Sequence, residues 1–177
     1  ISNWTFGGGY AVNDAAASAR VHGSVLLQVK NCDLGGAYLL GGGWGVGSGH
    51  VEVGGNTAVA LENSAVKQLY GTGYYSAATN YTHAGHVDIR LKNAEVIGAV
   101  YPAGNSNAKA KSAALYLLGN TSLSSVTSVD TASLTDGLSV YVGDGSTPTS
   151  AAVGYLYESR ISQVHVYPGA TLTHTSA

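Results

Sequence analysis

A phrase of strand, asparagine, aliphatic residue and aromatic–glycine turn recurs about every thirty residues along this chain. No other feature constrains the fold as strongly. Its clearest copies span Val25–Tyr38, Val59–Tyr70 and Val87–Tyr101, and a more divergent one spans Leu115–Leu123. The anchor asparagines are Asn31, Asn63, Asn93 and Asn120, separated by 32, 30 and 27 residues. A fixed anchor with a variable step places insertions in loops and keeps strands in register. Such a period marks units that bury their apolar faces against one another.

Within each phrase, apolar and polar residues alternate, as in a half-buried strand. Val25, Leu27 and Val29 are expected to face inward, followed one coil later by Val59 and Leu61, then by Val87, Ile89 and Leu91. The aliphatic residue three after each anchor gives a second inward column of Leu34, Val66, Val96 and Leu123. Residues 15–20 and 108–114 are Ala-rich but show no helix periodicity with caps. The fourth copy breaks the alternation, with Gly119 in the charged position, and a bulge is expected there.

Two polar columns follow from the stacking. Lys30, Glu62 and Lys92 precede successive anchors and would alternate in charge up the solvent face. The anchor asparagines would form an amide ladder and occupy the left-handed backbone conformation of a sharp corner.

The order strand, asparagine, aliphatic, Gly-Gly, aromatic, Gly-Gly-Gly resembles the repeats of right-handed parallel β-helix domains in large bacterial surface proteins. These are adhesin-like proteins and, more distantly, autotransporter passenger domains. The resemblance implies an all-β, right-handed parallel β-helix of about five to six coils over residues 1–177. It specifies function poorly, since such folds carry adhesins, lyases, hydrolases and stalks alike. Residue 1 falls within a phrase and the chain contains no Met. The expectation is therefore a single solenoid domain that is a fragment of a longer repetitive surface protein.

Composition narrows the functional classes. Net charge is −2 and only 10% of the 177 residues are charged, so no basic stripe suits nucleic acid. No apolar run approaches the roughly 20 residues of a membrane helix, and no membrane insertion is expected. One cysteine, Cys32, excludes an internal disulfide framework. Low charge and abundant Gly, Ser, Thr and Tyr suit an extracellular or cell-surface protein.

The strongest binding candidates are aromatic residues at glycine turns: Tyr10, Trp44, Tyr74, Tyr75 and Tyr101. Because they recur with the phrase, they are expected to line one edge of the stack. Spaced aromatic faces suit sugar rings or a protein partner that needs anchors. The competing reading has these rings folding over their own turns.

Carboxylate catalysis is the weaker class. Asp33 and Glu95 share a column with Ala65 between them, about 10 Å apart by strand spacing, near the upper limit for an inverting glycosidase pair. Asp130, Asp136 and Asp144 gather in a region of low order. His83, His86 and His50 lack a definable third zinc ligand, so no metal, cofactor or catalytic residue is assigned. Asn3, Asn80 and Asn120 each open an Asn-x-Ser/Thr sequon.

The resulting expectation is a non-enzymatic adhesion module that recognises a glycan or a host surface protein. The alternatives are a stalk or filament subunit that self-associates through its coil ends, and a polysaccharide lyase or glycoside hydrolase.

Overall fold

The computed structural model describes residues 4–11, 17–75, 85–105, 108–127, 134–157 and 160–175, with the backbone alone for Tyr75. These residues form strands and turns with no helix. In chain order the strands are β1 (Trp4–Phe6), β2 (Tyr10–Ala11), β3 (Ser18–Val21), β4 (Val25–Lys30), β5 (Asp33–Leu40) and β6 (Trp44–Gly45). There follow β7 (His50–Val53), β8 (Thr57–Glu62), β9 (Ala65–Tyr70), β10 (Tyr74–Tyr75), β11 (His86–Lys92) and β12 (Glu95–Tyr101). The last six are β13 (Ser112–Leu118), β14 (Asn120–Val126), β15 (Leu138–Val142), β16 (Thr149–Leu156), β17 (Ile161–Val166) and β18 (Ala170–His174).

Every pairing between these strands is parallel, and each strand pairs with its counterpart one coil away. One wall runs β4-β8-β11-β13-β15-β17 and a second runs β1-β5-β9-β12-β14-β16-β18. Shorter sheets, β2-β6-β10 and β3-β7, make a third side at the N-terminal end. The result is a parallel β-solenoid of about four turns.

The expected count of five to six coils is corrected downward. A strand–asparagine–strand phrase marks two walls, not a closed turn. The N-terminal β1 is a stub of three residues. At the other end β16 and β17 are separated by only four residues, and no further strand lies between them among the described residues.

The alternation read from the sequence fills the interior. Leu27, Val59, Ile89, Leu115, Val140 and Val164 share one register column. Val29, Leu61, Leu91, Leu117, Val142 and Val166 share the next. The middle members are fully buried, whereas Val164 and Val166 at the C-terminal end are 44% and 45% exposed. Leu34, Val66, Val96, Leu123 and Val153 supply the facing column from the second wall.

The corner between the two walls is built as its residues dictate. Asn31, Asn63 and Asn93 hold φ of 52°, 49° and 48°, which asparagine accepts more readily than most residues. Asn63 Nδ2 donates to Asn31 Oδ1 at 2.9 Å, and Asn93 Nδ2 donates to Asn63 Oδ1 at 3.1 Å. Beside the ladder, Lys30 and Lys92 bridge Glu62 at 2.9 and 3.1 Å. Hydrogen bonds from Lys30 and then Lys92 hold its carboxyl below the usual carboxylate range.

At the fourth coil the corner residue is Gly119, not Asn120. Lys92 pairs with Leu118, while Glu95 pairs with Ser122, so one extra residue sits in the corner. That residue is Asn120, whose backbone N–H caps the ladder by donating to Asn93 Oδ1 at 2.9 Å. Gly119 has φ +60°, and a Cβ there would lie 2.2 Å from the same Asn93 oxygen. Glycine alone fits beneath the cap.

Candidate functional site

The glycine turns after the second wall bring backbones of successive coils close together. A Cβ on Gly71 would approach Pro102 O to 2.1 Å. Side chains are thereby excluded from the turn itself and gather on either side of it. On the outer side they form an aromatic corner at the N-terminal end of the solenoid.

Tyr10, Trp44 and Tyr74 occupy one register column of the short β2-β6-β10 sheet. Tyr10 and Trp44 lie 5.2 Å apart, ring centre to ring centre. The hub of the corner is Trp4, which stacks on Tyr38 at 4.3 Å and on Trp44 at 5.0 Å and meets the edge of Tyr74 at 5.1 Å. Tyr74 meets Tyr70 at 5.5 Å, and Tyr70 stacks on Tyr101 at 4.7 Å with the rings 8° from parallel. Phe6 extends the cluster beyond Tyr10 at 6.2 Å. The sequence places Tyr75 in β10, but its side chain lies outside the described residues.

Tyr101 belongs to a neighbouring column rather than to the Tyr10–Trp44–Tyr74 one. It pairs with Tyr70, which in turn pairs with Leu40. Tyr38 is displaced from that column because Leu34 pairs with Val66 but Tyr38 pairs with Gln68. The two extra residues in this stretch of β5 shift its aromatic out of line and bring it against Trp4.

Most ring faces are shared within the cluster. Tyr10 is the principal outward ring, at 47% exposure. Lys67 Nζ lies 5.0 Å from the Tyr38 ring centre, within cation–π range. Tyr70 is buried and its hydroxyl bonds Gln68 Oε1 at 2.9 Å. Burial, reinforced by the phenols of Tyr101, Tyr74 and Tyr38, pushes the Tyr70 hydroxyl well above the ordinary tyrosine range. Burial also raises Tyr101. The indole Nε1 of Trp44 is buried with no hydrogen-bond partner among the described residues, which is uncommon for a buried donor. The corner is therefore an aromatic surface with Lys67 at its edge.

A second aromatic row was not anticipated from the turns, because its members lie within strands. Arg90 sits over Tyr116 at 4.8 Å, Tyr116 stacks on Tyr141 at 5.0 Å, and His165 follows at 6.5 Å. These are the outward residues of one column on the first wall. Gln163 Nε2 donates to Tyr141 Oη at 2.9 Å and braces the row. The legible signal was the outward phase of alternation: position 116 in Leu115-Tyr-Leu117 and position 141 in Val140-Tyr-Val142.

The carboxylates are placed as the register requires. Asp33 pairs with Ala65 and Ala65 with Glu95, so the two acids stand two strand spacings apart, roughly 10 Å. They line an open groove of about 390 Å³ with Cys32, Ser64 and the ladder residues Asn63 and Asn93. Asp33 Oδ1 accepts the Gly35 N–H at 2.9 Å, a bond within its own turn.

Asp130 and His83 lie outside the described residues, as do the sequon residues Asn3 and Asn80. Asn120 lies in the corner already described. His50 and His86 contact Glu52 and Asp88 at 3.6 Å on the outer face. Among the described residues, no three His, Cys, Asp or Glu side chains group as metal ligands would.

Asp144 organises a turn. Its Oδ1 accepts from Ser146 Oγ at 2.7 Å, Ser146 N at 2.8 Å and Thr147 N at 3.2 Å. These bonds, the Ser146 hydroxyl first, hold the carboxyl down at about 2. The carboxyl carbon of Asp144 is expected to titrate by NMR with a midpoint near 2, and Ser146→Ala should raise it. Because the folded value is depressed, the turn's contribution to stability is present above the ordinary 3.8 and lost as pH falls toward about 2. A midpoint at the ordinary aspartate value would show that these bonds do not persist in solution.

Compared with protein-family models, with curated proteins and with solved structures, the chain matches none.

Proposed function

We propose that this chain is a non-catalytic binding module that recognises a glycan through the aromatic corner of Tyr10, Trp44, Tyr74 and Tyr101, joined by Trp4 and Tyr38. In this reading it belongs to a secreted or cell-surface bacterial protein of the adhesin-like kind that the repeats resemble. The observation that carries the proposal is the unbroken run of ring contacts from Phe6 to Tyr101, crossing neighbouring coils, with the Tyr10 ring left half in solvent.

Aromatic rings offer apolar faces to the C–H faces of sugars and polar edges to their hydroxyls. The rings are held by strand register and by one another, so little side-chain entropy is lost on binding. Lys67 is a donor beside that surface, and the Trp44 indole N–H lies buried within the cluster.

Binding is measured on a glycan array and by affinity electrophoresis in polysaccharide gels. Tyr10→Ala should weaken binding roughly threefold to tenfold, the worth of one aromatic contact. Folding should be unaffected, since the ring is half exposed. Trp44→Phe retains an aromatic face and removes the indole donor, and a smaller loss is expected. Absence of binding across a broad panel, or binding indifferent to both changes, would count against a glycan site at this corner. Retention on host-protein surfaces, reduced by Tyr10→Ala, would move the corner to protein recognition instead.

A further inference from the structure

On the outward phase of the first wall, Arg90, Tyr116, Tyr141 and His165 fall in one register column and form a row from coil to coil. The Tyr116 and Tyr141 rings lie 13° from parallel at 5.0 Å, close to the spacing of the strands that carry them. Arg90 lies over the Tyr116 ring at 4.8 Å, on the side away from Tyr141. The faces of the Tyr116 ring are thus taken up along the coil axis. What the row presents to solvent is ring edges and hydroxyls, and an aromatic edge carries the positive end of the ring quadrupole.

The row is rich in donors. Gln163 Nε2 donates to Tyr141 Oη at 2.9 Å, which engages the phenol oxygen as acceptor and leaves its O–H to donate elsewhere. Burial, followed by the charge of Asp88, raises the Tyr116 hydroxyl above the ordinary tyrosine range, so that it keeps its proton at neutral pH. Stacking occupies the flat face of the Arg90 guanidinium and leaves its in-plane N–H groups to grip a planar acceptor.

Arg90 also differs from the neighbouring cations of the outer surface. Arg20 meets Glu52 at 2.8 Å, and Lys30 and Lys92 meet Glu62 at 2.9 and 3.1 Å. Among the described residues, no carboxylate lies within ion-pair distance of Arg90. Asp88, the acid of the adjoining column, contacts His86 Nε2 at 3.6 Å. The next members of that column, Ala114 and Ser139, are small, so a shallow step runs beside the two tyrosines.

We infer that this row is a second binding site, independent of the aromatic corner, and that it takes a uronic-acid oligosaccharide laid along the coil axis. A sugar carboxylate seats on the Arg90 fork, and oxygens of the following sugars accept from the Tyr116 and Tyr141 hydroxyls. Arg90 to His165 spans three strand spacings, roughly 15 Å, which is room for a short oligosaccharide.

The chemistry of the row selects among anionic partners. One unpaired guanidinium suits a sparse charge, whereas a nucleic-acid backbone requires a stripe of cations. A peptide presents as many main-chain donors as acceptors, and this row offers mainly donors. Nor can a peptide add as a strand here, because β11, β13 and β15 are paired on both sides. A uronate chain has an excess of acceptors in its ring, glycosidic and carboxylate oxygens. Its planar carboxylate matches the guanidinium bidentately.

The test is isothermal titration calorimetry of the purified chain with oligogalacturonate and oligomannuronate, each compared with its methyl ester. At least one free acid should bind, and its ester should bind at least tenfold more weakly. Arg90→Gln should weaken binding of the acid about tenfold or more, the worth of a charge-assisted hydrogen bond. Arg90→Lys keeps the charge but loses the fork, and should recover only part of that loss. Tyr141→Phe keeps the ring stack and should cost about threefold to tenfold. Circular dichroism should be unchanged in all three variants, since Arg90 is exposed and the ring survives. Tyr10→Ala, which alters the aromatic corner, should leave uronate binding as it is. Absence of binding to either acid, equal binding of acid and ester, or indifference to Arg90→Gln would overturn the inference. So would a loss that follows Tyr10→Ala in place of Arg90→Gln, since the uronate would then occupy the corner. Equally tight, Arg90-dependent binding of poly-glutamate or of a sulfated glycan would also overturn it, by showing that the row takes any anion.

Discussion

Leu91→Ala is expected to lower the unfolding free energy by about 2–5 kcal/mol, the range for deleting a buried leucine side chain. Leu91 is 0% exposed and lies between Leu61 and Leu117 in a register column. The strands carrying these residues are held about 4.8 Å apart by parallel ladders on both sides. Backbone collapse into the vacated space is therefore opposed, and the upper part of the range is favoured. Val29→Ala in the same column serves as the control. Val29 is only partly buried at the N-terminal end, so the same kind of truncation should cost a fraction as much. Urea unfolding followed by circular dichroism would report both through the midpoint, with the slope unchanged if the denatured chain is unaltered. Equal losses at Leu91 and Val29 would contradict a continuous core running along the stack, on which every other register statement rests.

The parts of this fold that were legible in the sequence are those set by alternation. Val59, Leu61, Ile89 and Leu91 could be assigned inward because period two leaves each side chain only two faces. The charge column of Lys30, Glu62 and Lys92 was readable for the same reason, since a repeated position becomes a spatial neighbour once coils stack.

Legibility failed where residues are inserted within a coil. Asn120 looks like a fourth anchor, yet the corner belongs to Gly119, because the anchor count cannot see which of two adjacent residues takes the left-handed conformation. Tyr38 looks like the partner of Tyr70, yet extra residues in β5 place it against Trp4. The aromatic corner was thus legible in composition and in its Tyr10–Trp44–Tyr74 column, but not in its hub. Tyr116 and Tyr141 lie within strands at outward positions, where no glycine turn marks them.

Asn63 separates the backbone and side-chain roles of the corner. It holds φ 49°, donates through Nδ2 to Asn31 and accepts from Asn93 Nδ2. Asn63→Ala should cost about 2–5 kcal/mol: about 1–2 for forcing alanine into the left-handed region and the remainder for two ladder bonds at about 0.5–1.5 each. Solvent access to the amide favours the lower half of the range. Asn63→Gly removes the conformational cost and leaves the ladder broken, so it should recover about half of the loss. Asn63→Asp keeps the shape but replaces the donor with a carboxylate facing Asn31 Oδ1, and it should be worse than glycine at neutral pH. Lowering the pH to protonate that carboxylate should restore part of the difference, because the acid form donates again. Thermal and urea midpoints of the three variants give the order directly. If glycine matches the wild type, the ladder contributes nothing measurable and asparagine is retained at the corner for its backbone alone. If glycine is as damaging as alanine, the amide stack holds the coils in register and the left-handed turn is secondary.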